Sequence, residues 1–173
     1  MADDFAFRQG RIRPSNLGVK EYTSGNLVHD DSTASHVLNV RLGTNKKPSS
    51  RQTNVINSLD KAVEDSRPLK KDTTLYKGAT KDFIKGDRKP VKSFVSASDN
   101  EGEASNYATR VMYKISVPRG TKVIKTSEHS HNSFLAEGEH ILPRNSKFKR
   151  GKEYDHPELP GTRVVELKHI KGK

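Results

Sequence analysis

Three short segments of this 173-residue chain carry side chains that could do chemistry. Leu75-Tyr76-Lys77-Gly78 sets a cation beside a glycine. Phe94-Val95-Ser96-Ala97-Ser98 sets two hydroxyls two residues apart. Glu137-Gly138-Glu139, running into His140-Ile141-Leu142-Pro143, does the same with two carboxylates. Residues two apart in an extended segment point to one face, so Glu137 would stand beside Glu139. Taken singly, each segment also has an ordinary reading. A lysine on a strand and a Ser-x-Ser are common, and Glu-Gly-Glu is more often a solvated turn than a catalytic carboxylate pair. His129-Ser130-His131 invites a zinc reading, but a third ligand has no convincing position, and no metal is expected.

These segments need elements to position them. Ala34, Val37, Leu38 and Leu42 recur at helical spacing from Ser32, with Asp31 as a cap and Gly43 as a stop. Val55, Ile56, Leu59, Ala62 and Val63 form a second helical stripe, starting after Ser50 and ending before Pro68. Leu75-Tyr76 and Phe94-Val95 mark short strands. Ser98 and Glu101 have capping-box spacing, which predicts a helix burying Ala104, Tyr107 and Ala108. Val111, Tyr113, Ile115 and Val117 alternate with polar residues, the pattern of a strand with one buried face. Further strands are expected at 122–125, 139–142, 147–149 and 163–169. Helices first and mostly strands after them predict an α+β fold with a mainly antiparallel core.

Composition bounds the function classes. Lys and Arg number 32 against 21 Asp and Glu, a formal charge of +11, and 31% of residues are hydrophobic. No apolar run approaches the roughly 18 residues of a membrane span. The absence of cysteine excludes a disulfide scaffold and a thiolate metal site. MADDFAFRQG has no basic flank leading into an apolar stretch, which predicts no secretory signal. Charge is uneven along the chain: residues 1–50 carry +2, 51–98 carry +5, 99–146 are neutral and 147–173 carry +4. The basic excess therefore flanks a neutral block, unlike a disordered basic tail.

Read in order and spacing, the three segments resemble the mono-ADP-ribosyltransferases of the Arg–Ser–Glu class, that of the clostridial actin-modifying binary toxins and the T-even phage transferases. That family has an aromatic-Arg-Gly strand, an aromatic-x-Ser-x-Ser strand and a Glu-x-Glu strand that runs into Leu-Pro-x-x-(Ser/Thr)-x-Phe. Here the last runs from Glu137 through Leu142-Pro143 to Ser146 and Phe148. A helix carrying Tyr107 and Arg110, and a strand ending Val117-Pro118-Arg119-Gly120, match the stretch between. The resemblance covers roughly residues 50–170.

It implies the ADP-ribosyltransferase fold, with a split, mainly antiparallel sheet flanked by N-terminal helices, and NAD as a substrate. Glu139 would hold the ribose 2′-hydroxyl and stabilise the positive charge that develops on the sugar. Glu137 would position an acceptor arginine and relieve it of a proton. Ser96 would brace Glu139 and the ribose, with Ser98 supporting it or only capping the next helix. Gly78 would let backbone groups approach the nicotinamide amide. Tyr107 would stack on the nicotinamide or be an ordinary core aromatic. Arg110 would pair with a phosphate, and Phe134 would touch the protein substrate. Lys77 departs from the family's arginine, keeping the charge but losing the bidentate fork.

The expected organisation is an N-terminal extension, 1–49, partly helical or loosely ordered, and a catalytic domain, 50–173. The implied activity is transfer of ADP-ribose from NAD to an arginine of a target protein. That target is expected to be a transcription- or translation-associated protein in a bacterial host cytoplasm, with RNA or an NAD-capped RNA end as a further contact and no membrane. The alternatives are a basic nucleic-acid-binding module and an attenuated transferase-like binding protein.

Overall fold

In the computed structural model the described residues are Val19, Tyr22, residues 35–128 and residues 138–171. Helix α1 spans Ser35–Gly43 and α2 spans Ser50–Asp65. The second helix starts one residue earlier than its apolar stripe suggests, because Ser49 is its N-cap. The Ser49 hydroxyl accepts from Gln52 N at 3.1 Å and the Gln52 side chain returns a bond to Ser49 N at 3.0 Å. This reciprocal box satisfies two backbone donors that the first turn leaves free. Val55, Ile56, Leu59 and Ala62 face inward.

Strands follow as β1 (Thr73–Ala79), β2 (Val95–Ser98), β3 (Val111–Val117), β4 (Ile124–Lys125), β5 (Glu139–Leu142), β6 (Lys147–Asp155) and β7 (Arg163–Ile170), with the one-turn helix α3 (Glu101–Ser105) after β2. They form a seven-stranded sheet in the order β4-β5-β2-β1-β3-β7-β6. Every neighbour pair is antiparallel except β3 with β7. The sheet is joined weakly in its middle. β1 keeps register with β3 from Thr73↔Val117 to Ala79↔Val111, but meets β2 at one pair, Tyr76↔Ser98. Beyond that pair the two halves diverge, which is the expected split.

The expected helix carrying Tyr107 and Arg110 is corrected. Helix α3 ends at Ser105 and buries Ala104, while Tyr107 is 71% exposed and Arg110 lies in the bend before β3. The cap is also displaced: Asn100, not Ser98, is the N-cap, accepting from Glu103 N at 3.3 Å. Asn100 wins because Ser98 is still the last residue of β2, leaving no room for the helix to begin there.

Apolar groups collect in three places. Leu75, Val95, Ala97, Tyr113, Ile115, Leu142, Phe148, Val165 and Leu167 fill the space between the two halves of the sheet. Tyr22, Leu38, Val55, Ile56 and Leu59 pack on Phe94, Ile124 and Ile141, so the helices cover the half made of β2, β5 and β4. Ala104, Met112 and Val164 make a smaller third cluster.

The long connection from β1 to β2 is pinned by one carboxylate. Asp82 accepts from Arg150 at 3.0 and 2.6 Å and from the Tyr113 hydroxyl at 2.8 Å, and that hydroxyl accepts from Phe83 N and Ile84 N. The Arg150 hydrogen bond does most to hold the Asp82 carboxyl down, at about 2. A depressed carboxyl contributes stability above its ordinary pKa, and that contribution disappears as pH falls toward the folded value. Asp82→Asn is expected to cost about 1.5–3 kcal/mol at neutral pH. The wild type should also lose stability more steeply than the variant between about pH 4 and pH 2. Urea unfolding across that window measures both.

Candidate active site

The split brings the three sequence segments together. β5 lies beside β2 with Ser98 opposite Glu139 and Ser96 opposite Ile141, so Ser96, Ser98 and Glu139 share a face. Lys77, one residue past the β1–β2 junction, reaches across and donates from Nζ to the Ser96 carbonyl at 3.1 Å.

Glu139 opens its strand because of the glycine before it. Gly138 has φ +86, and a Cβ there would lie 1.9 Å from Asp99 Oδ1. Its carbonyl accepts from Asp99 N at 3.0 Å and from His140 Nδ1 at 2.8 Å, which ties the turn to the end of β2. Only glycine combines that backbone conformation with that proximity. The backbone at Gly138 is therefore in the left-handed region and not extended. Glu137 itself, with Phe134, His129 and His131, lies outside the described residues.

The Glu139 carboxyl is pushed up chiefly by burial, and is drawn back down by hydrogen bonding from Ser96, by the Lys77 charge and by hydrogen bonding from Thr126. Thr126 Oγ1 also donates to the Glu139 carbonyl at 3.4 Å. The Lys77 ammonium is pushed down by burial and pulled up by Glu139. Each charge therefore offsets part of the other's desolvation. A carboxylate fixed by donors in a half-dry cleft can stabilise positive charge developing nearby, and the lysine next to it can hold an anion.

The remaining expected residues fall into two groups. Gly78 and Ser98 are beside the cleft but have structural tasks. A Cβ on Gly78 would meet Ala104 O at 2.3 Å and Ala108 N at 2.4 Å. The space above its Cα is thus filled by the chain's own backbone. The Ser98 hydroxyl accepts from Asn100 N at 3.0 Å, closing the turn into α3. Tyr107 and Arg110 are exposed past the end of α3, and the core reading of Tyr107 is overturned.

Three residues of the site had no signal in the sequence. Thr126 is one of many threonines. Asn39 sits on a helix face whose pattern marks only its apolar neighbours. Tyr22 shares no period with its neighbours in a segment rich in Gly, Asn and Ser, yet it is fully buried against Phe94, their rings 5.8 Å apart edge to face.

No protein-family model matches the sequence, and no curated protein sequence matches it significantly. Solved structures do match. Plx2a, an ADP-ribosyltransferase toxin from Paenibacillus larvae, superposes with a TM-score of 0.71 at 14% identity, covering 98% of this chain and 92% of that one. The Clostridium limosum C3 exoenzyme gives 0.69 at 17% identity, with 97% and 91% covered. Exoenzyme S from Pseudomonas aeruginosa, in its complex with human 14-3-3 protein beta and carba-NAD, gives 0.68 at 14% identity, with 88% and 72% covered. The chain has the ADP-ribosyltransferase fold.

Gly78 supplies a direct check on this packing. Gly78→Ala drives a methyl group into backbone atoms that cannot swing aside, at a cost of about 3 kcal/mol. The expected result is a fall in Tm of roughly 10 °C by calorimetry.

Proposed function

We propose that this chain uses the ADP-ribosyltransferase fold to move ADP-ribose from NAD to an arginine side chain of a protein, releasing nicotinamide. The observation that carries this reading is the half-buried Glu139 carboxylate, held by hydroxyl donors and faced by Lys77 at the split of the sheet. NAD supplies a ribose whose bond to nicotinamide breaks with positive charge developing on the sugar.

Glu139 holds the ribose hydroxyl and stabilises that charge. Ser96 keeps Glu139 ionised and oriented. Lys77 offers a point charge to the pyrophosphate, and Arg110 and Tyr107, both exposed, are the groups to pair with a phosphate and to stack on the nicotinamide. Glu137 takes the proton that an arginine nitrogen loses as its new bond to the sugar forms. Phe134 contacts the protein acceptor. The acceptor belongs to a bacterial host in whose cytoplasm the enzyme acts, and the chain's basic flanks suit a partner associated with RNA. Exoenzyme S in complex with a 14-3-3 protein is consistent with a protein partner.

Lys77 favours a second reading, an attenuated transferase kept as a binding protein. Its Nζ already donates to Ser96 O and has no fork to offer two phosphate oxygens at once.

Labelled NAD incubated with a bacterial extract tests the first reading. The wild-type chain should label protein on arginine, identified by mass spectrometry, and Glu139→Ala should reduce labelling by about 100- to 1,000-fold. Labelling that survives the substitution sinks the assignment. Salt-dependent RNA binding, with no labelling and no response to Glu139→Ala, would establish a nucleic-acid module instead. Lys77→Arg is expected to lower KM for NAD by roughly tenfold, the worth of one added charge-assisted hydrogen bond.

A further inference from the structure

A chain of four hydrogen bonds runs from the backbone of Phe94 to Glu139, and its proton directions are determined from both ends. Phe94 N–H can only donate, and it does so to Asn39 Oδ1 at 3.1 Å. The Asn39 amide is thereby oriented with Nδ2 toward Tyr22, and donates to the Tyr22 oxygen at 2.7 Å. At the other end an ionised Glu139 can only accept, so Ser96 gives its hydroxyl proton to the carboxylate. Ser96 Oγ is then the acceptor of its 3.4 Å contact with Tyr22 OH. The phenol proton has one place to go, and no group in the chain meets donor to donor.

We infer that Tyr22 and Asn39 are positioning residues of the transferase site, acting through Ser96 to hold the Glu139 carboxylate ionised and aimed into the cleft. The inference rests on the proposed transferase reading. Tyr22 is suited to the task because it stays a donor. Its ring is fully buried, and burial pushes the phenol up to about 12, so it keeps its proton over the whole working range. The Ser96 hydroxyl alone could rotate between Glu139 and other acceptors. With its lone pair occupied by the phenol, its proton is directed to the carboxylate. Among the described residues, the charged groups around this point are Lys77 across the split, Asp99 against the Gly138 turn and Lys125 on β4 opposite His140. None of them replaces the phenol as a donor to Ser96.

The test is Tyr22→Phe in the full chain, which retains the ring against Phe94 and removes only the hydroxyl. Glu139 is titrated directly by carbon-13 NMR of labelled glutamate side chains, and the pH profile of kcat/KM for NAD is recorded beside it. The carboxyl of the variant should titrate about 0.5–1 pH unit higher than in the wild type, the shift that one lost hydrogen bond produces. The acid limb of kcat/KM should move by the same amount, and activity at pH 9 should recover to within about twofold of wild type. A purely structural role for Tyr22 would lower activity at every pH and leave the limb where it is. An unmoved Glu139 titration in folded Tyr22→Phe overturns the inference.

Asn39→Asp provides a second arm with the phenol retained. Its carboxylate cannot donate to Tyr22 and turns the phenol proton away from Ser96, so Glu139 should again titrate higher. An unmoved titration there overturns the inference too. A shifted titration in a chain that shows no NAD chemistry, with or without Glu139→Ala, would support the relay and refute the transferase reading.

Discussion

A carboxylate withdrawn from water must be compensated where it stands, and the architecture around Glu139 follows from that requirement. The compensation comes from three directions: Lys77 on β1, Ser96 on β2 and Thr126 just after β4. No single element could supply all three. β5 has to lie beside β2 for Ser96 to reach the carboxyl, and β4 has to lie beside β5 for Thr126 to do so. β1 and β2 must stay close enough for Lys77 to cross between them, yet separate enough to admit a ligand. One register pair, Tyr76↔Ser98, meets both conditions. The remaining stability must come from elsewhere, and the Asp82–Arg150–Tyr113 cluster and the helices over β2 and β5 provide it.

What was legible in the sequence was whatever follows a short-range rule. The alternation in Val111–Val117 and the stripe from Val55 to Ala62 state their elements directly, since each reflects one buried face. The Glu139–Leu142 strand was also readable from its own residues. Ser98 shows where such rules stop. Its spacing to Glu101 satisfies the capping pattern, but pairing with β1 and β5 keeps Ser98 in β2, and Asn100 takes the cap. Tyr107 fails for the same reason: a helical stripe was read through residues that lie past the end of a one-turn helix.

Tyr22, Asn39 and Thr126 were illegible for a different reason. Each reaches the site through tertiary contact alone, and Tyr22 lies 74 residues from the Ser96 it touches. A buried tyrosine and an exposed one look alike when neighbours in sequence carry no period. The site is thus readable as a set of reactive groups, while the groups that hold them are visible only once the chain has folded. This asymmetry is expected wherever the reacting residues fall in short motifs and their supports come from other elements.

Lys77 brings the electrostatics and the geometry together. An arginine in its place would keep its charge under any burial and would present two parallel donors to a phosphate. A lysine is a compact charge that loses more on desolvation, and here burial does push its ammonium down while Glu139 pulls it back. Charge at Lys77 thus depends on the ionisation of Glu139, and the ionisation of Glu139 depends in turn on Lys77. The two form a pair in which each favours the charged form of the other. The Ser96 carbonyl and hydroxyl stand at the centre of that pair, the carbonyl holding Lys77 and the hydroxyl serving Glu139. A displacement of β2 at Ser96 would therefore disturb both charges together, which is why the strand is held on one side by β5 and on the other by the buried contacts of Phe94 with Tyr22 and Asn39.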